Sequence, residues 1–336
     1  MAEEKVTEKL SAVGNKILHK LDFEIDRNAG RVFITGGHGV MGYRVASRLL
    51  AAGYPTVRVG ALHADEMEDL SKLGAEVADF AWSHDETYLN ALQDVKTVFC
   101  TTPYHEGWEK EFELFLNACQ EAEVKHIVKT SFCRASTPDK DLDLEEVPLI
   151  KKHLECDSML MKSGIAYTIL GASHFMSNPL VYQGRYLKTQ EGTGVIYGAS
   201  AGKAVNYVSP NDVAEAAVRT LLAPVDHVDK IYNLTGPVAV KEEEVAAILG
   251  KFLNKPVTYI DQELSFFEKE EMMSGDPEWL VEDLVALERI KATGHEGYVS
   301  FLTKDIERIC GHPAETYEGY LMQQDLMSPI ERRIIA

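Results

Sequence analysis

The stretch RVFITGGHGVMGYRVASRLLAAG, residues 31–53, joins a β-branched run to a helical one through a turn with three glycines. Gly36, Gly39 and Gly42 follow the pattern GxxGxxG directly after the apolar run. The first glycine permits a tight turn, the second lets the backbone approach a pyrophosphate, and the third lets the helix pack against the strand. The stretch therefore predicts a strand, a turn and a helix whose N-terminus faces a dinucleotide. The alternative is a glycine-rich turn that binds nothing.

Outward from this stretch, short β-branched runs alternate with helical stretches, which is typical of βαβ units and a parallel sheet. The runs lie at 31–35, 56–62, 75–80, 97–102, 126–131 and 166–172. The predicted fold class is α/β, a Rossmann-type doubly wound parallel sheet with a smaller substrate-binding lobe built from C-terminal segments.

The alternation loosens after residue 172. A Ser or Asn cap precedes a predicted helix within 209–224, a strand is predicted at 230–236, and KEEEVAAILGKFLNK predicts a further helix. The predicted domains are an N-terminal helical extension at 1–30, a dinucleotide-binding core at 31–172 to which 206–237 returns, and a substrate-binding lobe from 173–205 and 238–336.

The N-terminal extension has an amphipathic rhythm, and docking on the body of the protein or on a partner both remain open. Charged residues from the third position onward exclude a signal peptide, and no later run approaches the roughly 20 apolar residues of a membrane span. We therefore expect a soluble, cytoplasmic protein with no membrane partner.

The charge balance is 34 − 53 = −19, a field that repels phosphate backbones and anionic lipid headgroups, so nucleic acid is not an expected partner. Residues 261–289 hold ten acids against two bases, which we expect on solvated helical faces rather than in a binding patch.

The chain has five cysteines, 11 histidines and no obvious metal motif. No CxxC pair, HxxxH pair, GxSxG or EF-hand loop is present, so neither a metal nor a serine nucleophile is expected. The cysteines are expected as small core residues in a reducing compartment, with redox sensitivity of Cys133 and Cys156 as the alternative.

The order of the motifs resembles the NmrA-like atypical branch of the short-chain dehydrogenase/reductase superfamily over roughly residues 31–322. The glycine turn, LGAEVADF with Asp79, HIVKTS, GIAYTILGASHFMSN, DVAEAAVRTLLAP, YNLTGPVAVKEEEVAAILGKFLNKPVTYID and DIERICGHPAETYEGYL each resemble a segment of that branch. One departure is Gly171, which replaces the arginine common in the "LRxxxF" segment. The resemblance therefore predicts a nicotinamide-side loop that lacks this arginine as an anchor.

Short-chain dehydrogenases commonly use a tyrosine four residues before a lysine, whose ammonium lowers the phenol pKa. None of the 14 tyrosines here has Lys at the fourth following position. His153, fourteen residues before Tyr167, stands where NmrA-like quinone and dye reductases place a histidine. The resemblance implies that His153 faces the nicotinamide and the substrate, and a pKa near neutrality would suit it to donate a proton. The alternative is a capping or surface histidine.

The resemblance and the strand ends together give the expected cofactor-binding residues. They are Gly36, Gly37, His38, Gly39, Val40, Met41, Gly42, Leu62, His63, Asp79, Phe80, Thr101, Thr102, Pro103, Thr130, Ser131, Ala172 and Phe175. No carboxylate stands at Leu62 or His63, where NAD-specific proteins place an acid, and Arg58 lies inside the predicted strand. His38 and His63 could both face a 2′-phosphate, so NADP(H) is the expected cofactor, with NAD(H) as the alternative.

Two functions remain open at this point. The first is an NAD(P)H-dependent reductase that transfers hydride to a quinone, enone or similar small acceptor. The second is a non-catalytic NAD(P)-sensing regulator that binds a protein partner. Because fold alone does not separate them, a homodimer and a regulatory partner both stay open.

Overall fold

A computed structural model describes residues 30–63, 67–134, 147–187, 192–294, 299–323, 327–329 and 331–332. The predicted N-terminal extension lies outside these residues, apart from Gly30. Along the described ranges, none of the helices has both the length and the apolar character that crossing a bilayer requires.

The strands are short and mostly buried, as parallel strands covered on both faces must be. In chain order they are β1 (Arg31–Ile34), β2 (Val57–Ala61), β3 (Glu76–Asp79), β4 (Val95–Cys100), β5 (His126–Phe132), β6 (Ala166–Ala172), β7 (His174–Phe175), β8 (Gly194–Gly198), β9 (Ala204–Val208), β10 (Lys230–Leu234), β11 (Ala239–Lys241) and β12 (Val257–Asp261).

The helices alternate with the strands of the first half and dominate the second half. In chain order they are α1 (Val40–Ala51), α2 (Glu68–Lys72), α3 (Tyr88–Ala91), α4 (Trp108–Glu121), α5 (Pro148–Lys162), α6 (Asn178–Leu187), α7 (Pro210–Leu222), α8 (Pro224–His227), α9 (Glu242–Leu253), α10 (Leu264–Met273), α11 (Glu278–Thr293), α12 (Asp305–Cys310) and α13 (Tyr317–Met322). As the cap pattern predicted, the Ser209 side chain accepts a hydrogen bond from Asn211 N at the start of α7.

Among the described residues, seven strands form one sheet in the order β10-β6-β5-β4-β1-β2-β3. Every neighbouring pair in it runs parallel. The strand order reverses between β1 and β4, which opens a crevice beyond their carboxyl ends. The prediction of a Rossmann-type doubly wound sheet is confirmed.

Helices cover both faces of this sheet. Apolar residues of α1, α7 and α12 pack on one face, and those of α3, α4 and α5 pack on the other. The second face contains a set of aromatic rings in mutual contact, with Phe80 near its centre and Phe33 at 5.2 Å from it between ring centroids. These two layers bury the central strands of the sheet.

Two small sheets, β11-β9-β7 and β12-β8, belong to the C-terminal half. A separate apolar cluster, which includes Tyr207, Leu249 and Ile290, packs around them. Helices α6, α10 and α11 lie opposite the carboxyl ends of β4, β5 and β6. Residues of all six elements, or of the loops beside them, line one cavity. The division into a core and a substrate-binding lobe remains a prediction.

Candidate functional site

The crevice at the strand reversal is held at a fixed width by two threonines. Thr35 Oγ1 donates a hydrogen bond to Thr101 O at 2.8 Å and accepts one from Thr101 N at 2.9 Å. Thr35 follows β1 and Thr101 follows β4, so the paired contacts tie together the two strand ends from which the crevice opens.

The glycine turn fills this crevice with backbone only. Gly36 has φ of +61°, a left-handed conformation that favours glycine. A Cβ on Gly42 would lie 2.1 Å from the carbonyl oxygen of Gly36, so no other residue fits there. A Cβ on Gly39 would lie 3.2 Å from the same oxygen, and the φ of −77° at Gly39 is open to any residue. Gly36 and Gly42 are thus required by the fold, whereas a Cβ at Gly39 requires only a small shift of that oxygen.

The turn fits the pyrophosphate of a dinucleotide. Gly39 is the N-cap of α1, and the first turn of α1 carries no acidic side chain that would repel an anion. The first N–H groups of a helix have no partner within it and carry the positive end of its dipole. The bare backbone at Gly39 therefore lets an anion approach these donors.

A cavity of about 1190 Å³ continues from the turn into the C-terminal half. The predicted site residues that line it are Met41, Thr101, Thr102, Pro103, Thr130, Ser131, His153, Ala172 and Phe175. The cavity is also lined by residues of α6, α10 and α11. Its volume exceeds what a nicotinamide ring occupies and leaves room for a second small molecule.

Four other predicted residues lie outside this cavity. Leu62 and His63 are exposed after β2, and Asp79 is exposed at the end of the adjacent β3. The Phe80 side chain is buried among aromatic rings, so only its backbone can face a cofactor. The exposed positions are those where the sheet edge would meet the adenosine of a dinucleotide.

His153 lies on α5 with its ring between two aromatic side chains. The ring centroids of Trp108 and Phe132 are 4.9 and 5.2 Å from that of His153. Its Nδ1 atom is buried, and no hydrogen-bond partner for it lies among the described residues. Burial, with a smaller effect from the charge of Lys129, holds the pKa of His153 well below its usual 6.5. The expected near-neutral pKa is thus wrong, because the sequence did not show this apolar enclosure.

A buried charge network lies next to His153. Lys129 Nζ and Asp157 Oδ1 are 2.9 Å apart, and both side chains are fully buried. Ser131 Oγ donates to Asp157 Oδ2 at 2.7 Å, and Arg134 lies 3.3 Å from the same oxygen. Since Ser131 lines the cavity, this network fixes the direction of one hydroxyl at the cavity wall.

The opposite wall of the cavity contains charged residues that sequence reasoning did not select. Tyr207 donates to Glu242 Oε1 at 2.6 Å, and Lys291 Nζ lies 2.6 Å from Glu288 Oε1 and 3.3 Å from Glu242 Oε1. Glu288 Oε2 also accepts from Ala199 N at 2.7 Å. The side chains of this group that line the cavity are those of Tyr207, Glu242, Glu288 and Lys291.

The acids of 261–289 are only partly on solvated faces. Glu270, Glu271, Asp276 and Glu288 line the cavity, and the expectation of a solvated face is wrong for Glu288, which is buried. The helical pattern identified polar faces, but α10 and α11 turn part of those faces toward the cavity.

Two departures noted in the sequence have structural causes. A Cβ on Gly171 would lie 2.8 Å from the carbonyl oxygen of Phe132. Because this distance is too short, an arginine does not fit at this position of β6. Arg58 is buried in β2, where it lies 2.7 Å from Glu76 Oε1 and donates to backbone carbonyls. Arg58 is therefore a structural residue.

All five cysteines are free and buried, as the composition predicted. Burial raises the pKa of Cys156 to about 12 and that of Cys133 further still, so neither thiol forms a thiolate readily.

Glu215, Cys310 and His312 form one group whose positions could hold a metal ion. Glu215 already pairs with Arg219 at 2.8 Å and with His312 at 3.2 Å. The hydrogen bond to Glu215 raises the pKa of His312 to about 9, so at neutral pH the imidazole is protonated and has no lone pair for a metal. The contacts describe an ion-pair cluster.

Comparison with known proteins places this geometry in a family. The model of a family described as NAD(P)H-binding matches residues 36–224, more than half of the chain. The chain belongs to this NAD(P)H-binding family. Its cofactor is accordingly NAD(P)(H), and the glycine turn lies inside the matched region.

Three relatives extend the comparison to most of the chain. An NAD(P)H azoreductase of Xenophilus azovorans is 26% identical over 86% of this chain and 96% of its own length. Quinone oxidoreductase 2 of Escherichia coli is 27% identical over 85% of this chain and 95% of its own length. The structure of the latter protein with NADPH has a TM-score of 0.71, at 25% identity over 87% of this chain and 98% of that one.

NmrA, a negative transcriptional regulator solved with NADP, shares the fold, with a TM-score of 0.67 at 16% identity over 90% of this chain and 97% of that one. The resemblance to NmrA-like proteins is confirmed at the level of the fold. The curated relatives are oxidoreductases, and the prediction of an NAD(P)H-dependent oxidoreductase is confirmed at that level.

Proposed function

We propose that this protein is an NADPH-preferring reductase that transfers hydride to a small conjugated acceptor of the quinone, enone or azo type. The observation that carries the proposal is one continuous cavity. It joins Met41 and Thr101 beside the glycine turn to a second region, between α6 and α11, that a dinucleotide would leave free. A sensor needs a dinucleotide site but no room for a second small molecule.

The walls of the cavity suit a flat, conjugated acceptor. Tyr104 and Trp279 meet edge to face with ring centroids 5.3 Å apart, and both line the cavity. Aromatic walls with a few polar groups are typical of small-molecule sites. The names of the two curated relatives, an azoreductase and a quinone oxidoreductase, support the same class of acceptor.

His153 is proposed to orient the acceptor as a neutral hydrogen-bonding group. The ring is held between Trp108 and Phe132, and Nδ1 has no hydrogen-bond partner among the described residues. Because its pKa lies well below 6.5, His153 carries no ionisable proton to donate at pH 7. Any proton that a neutral acceptor needs would come from water, because the Ser131 hydroxyl already donates to Asp157.

The preference for NADPH rests on the residues at the end of β2 and in the glycine turn. Leu62 and His63 are exposed there and neither is a carboxylate, and His38 is exposed in the glycine turn. An acid at the end of β2 would bind the 2′-hydroxyl of NAD, whereas histidines can accept a 2′-phosphate. Arg58 does not contribute, since it is committed to Glu76.

The test is oxidation of NADPH and NADH followed at 340 nm against a panel of naphthoquinones, enones and azo compounds. We expect turnover with at least one acceptor, faster with NADPH at equal concentration, and none with Gly39→Val. NADPH binding without turnover across the panel would contradict the reductase proposal and favour the non-catalytic sensor.

A further inference from the structure

We infer that Asp157 is a positioning residue for the dinucleotide. It holds the Ser131 hydroxyl so that the oxygen faces the cavity as a hydrogen-bond acceptor, and this oxygen binds the carboxamide NH₂ group of the nicotinamide. The inference requires only that a dinucleotide binds, so it applies to a reductase and to a non-catalytic sensor alike. It follows from the buried charges that surround Asp157.

The side chains involved are brought together by one strand and one helix. Lys129 and Ser131 are two residues apart on β5, so they lie on the same face of the sheet. His153 and Asp157 are four residues apart on α5, so they lie on the same face of that helix, one turn apart. Because α5 packs on this face of the sheet, the contact between Asp157 and Ser131 lies about one helical turn from His153.

Two cationic groups fix Asp157 as a hydrogen-bond acceptor. Lys129 Nζ lies 2.9 Å from Asp157 Oδ1, and Arg134 Nη2 lies 3.3 Å from Asp157 Oδ2. Lys129 is itself held in place, because its Nζ also donates to Thr130 O at 3.2 Å and lies 5.6 Å from the centroid of the Phe112 ring. A carboxylate paired in this way has no hydrogen to donate, so every hydrogen-bond partner of Asp157 must donate to it.

This polarity determines how the Ser131 hydroxyl is used. Ser131 Oγ lies 2.7 Å from Asp157 Oδ2 and supplies the hydrogen of this bond. A hydroxyl has one hydrogen and two lone pairs, so the Ser131 oxygen can still accept a hydrogen bond. Ser131 is 6% exposed and lines the cavity, and within the described ranges no group donates to its oxygen. The cavity wall thus carries a buried acceptor whose direction is fixed.

The position of Ser131 in the sheet corresponds to the nicotinamide end of a dinucleotide. The strand order runs β5-β4-β1-β2-β3, and the glycine turn follows β1. With the pyrophosphate at this turn and the adenosine over the ends of β2 and β3, the other half of the dinucleotide reaches the ends of β4 and β5. Ser131 is the last but one residue of β5, opposite Gly171 of β6.

A fixed acceptor suits an amide better than a hydroxyl. The nicotinamide end of a dinucleotide offers hydrogens from the ribose hydroxyl groups and from the carboxamide NH₂ group. A hydroxyl both donates and accepts, so it adapts to a partner of either polarity, whereas an amide NH₂ group only donates. The carbonyl oxygen of the carboxamide would be repelled by Ser131 Oγ. Ser131 therefore selects the orientation of the carboxamide that turns the NH₂ group toward it.

The first experiment compares two ligands that differ in one group. NADP⁺ and its 3-acetylpyridine analogue, in which a methyl group replaces the carboxamide NH₂ group, are each titrated into the protein by calorimetry at pH 7.5. We expect NADP⁺ to bind about fivefold more tightly, because the analogue leaves the Ser131 oxygen without a donor. Equal affinities, or tighter binding of the analogue, would overturn the inference.

Single variants assign this preference to Ser131. Ser131→Ala should weaken NADP⁺ binding about fivefold and leave binding of the analogue nearly unchanged, so that the ratio of the two Kd values approaches one. Ser173→Ala is the matched control, because Ser173 is also 6% exposed and lines the cavity, while its Oγ bonds to none of the described residues. The control should keep the ratio. A ratio that persists in Ser131→Ala, or that falls equally in Ser173→Ala, would contradict the assignment.

A double variant tests the role of Asp157 itself. Lys129→Met with Asp157→Leu removes both charges at similar volume and leaves the Ser131 hydroxyl free to rotate, so the ratio should fall to about twofold or less in a folded protein. Asp157→Asn, whose amide group can donate as well as accept, should lower the ratio in the same direction and replaces the double variant if the latter does not fold.

The ratio separates positioning from a loss of stability. Because the two ligands share every other contact, a general loosening of the site changes both Kd values and leaves their ratio unchanged. A folded variant at Asp157 that keeps the wild-type ratio would overturn the role of Asp157. Only binding is measured, so an absence of turnover in the 340 nm assay would reject the reductase proposal and leave this binding result standing.

Discussion

Each glycine of the turn has its own physical role, and the roles predict different phenotypes. Gly39→Val places a branched side chain where a pyrophosphate would lie, while its Cβ is only 3.2 Å from the nearest backbone oxygen at a permitted φ. We expect a folded protein whose NADPH affinity falls at least ~100-fold, because the side chain and a phosphate cannot share the space. Calorimetry with thermal unfolding as the fold control measures this. A folded variant with unchanged affinity would contradict the placement.

His153 is predicted to act by position rather than by ionisation. His153→Ala should lower kcat about tenfold, less than the ~10²-fold or more that loss of a general acid costs, and leave the Kd for NADPH nearly unchanged. Because burial keeps the pKa well below 6.5, the rate profile between pH 6 and 8 should show no break that disappears in the variant. Observation of such a break near pH 6.5 would mean that His153 titrates in the complex.

At the residue scale, the sequence predicted which residues meet but not their environment. The glycine spacing and strand ends selected Met41, Thr101 and Ser131, which do line one cavity. The pKa of His153 depends on Trp108 of α4 and Phe132 of β5, which come from other parts of the chain. Such an environment is set by tertiary packing, and local spacing does not contain it.

At the scale of elements, α5 is joined to β5 by a buried ion pair. Lys129 lies on β5, Asp157 lies on α5, and both side chains have no exposed area. Asp157→Asn would leave the Lys129 ammonium buried and unpaired, so we expect the free energy of unfolding to fall by about 3–5 kcal/mol. Urea denaturation measures this change.

A matched double variant separates pairing from packing. Lys129→Met with Asp157→Leu removes both charges and keeps similar volumes, and we expect it to recover most of the lost stability. If the double variant is as unstable as Asp157→Asn, the hydrogen bonds to Ser131 and Arg134 rather than the ion pair dominate.

The packing of α12 on α7 should depend on pH through one histidine. The hydrogen bond to Glu215 raises the pKa of His312 from 6.5 to about 9. This pair therefore stabilises the fold fully below about pH 6.5, and its contribution is lost as pH rises through about 9. His312→Gln should flatten the fall of unfolding free energy between pH 7 and 9.5, measured by urea denaturation. An unchanged slope in the variant would assign that fall to other groups.

Sequence periodicity located elements far better than it located the surfaces between them. The strands of the large sheet fall within one or two residues of the predicted runs, because parallel strands buried on both faces are continuous apolar segments. The cavity wall opposite them depends on pairings such as β12 with β8, whose residues are separated by about sixty positions. No local pattern indicates such a pairing.

At the scale of the whole molecule, charge has two different uses. The net charge of −19 repels polyanions, as the composition implied. Part of this negative charge, however, lies on side chains of α10 and α11 that line the cavity, and it makes that wall acidic. Amphipathic patterning shows which helix face is polar, but not whether that face meets bulk solvent or a cavity, so the acids of 261–289 were assigned to the surface.

The central claim is that a dinucleotide lies across the strand reversal with its nicotinamide in the cavity beside a free acceptor site. A crystal structure of the NADP⁺ complex tests this most directly. We expect the pyrophosphate over Gly39 at the start of α1, and the nicotinamide in contact with Thr101, Ser131 or His153. A nicotinamide outside the cavity, or one that fills it and leaves no room beside Tyr104 and Trp279, would rule this arrangement out.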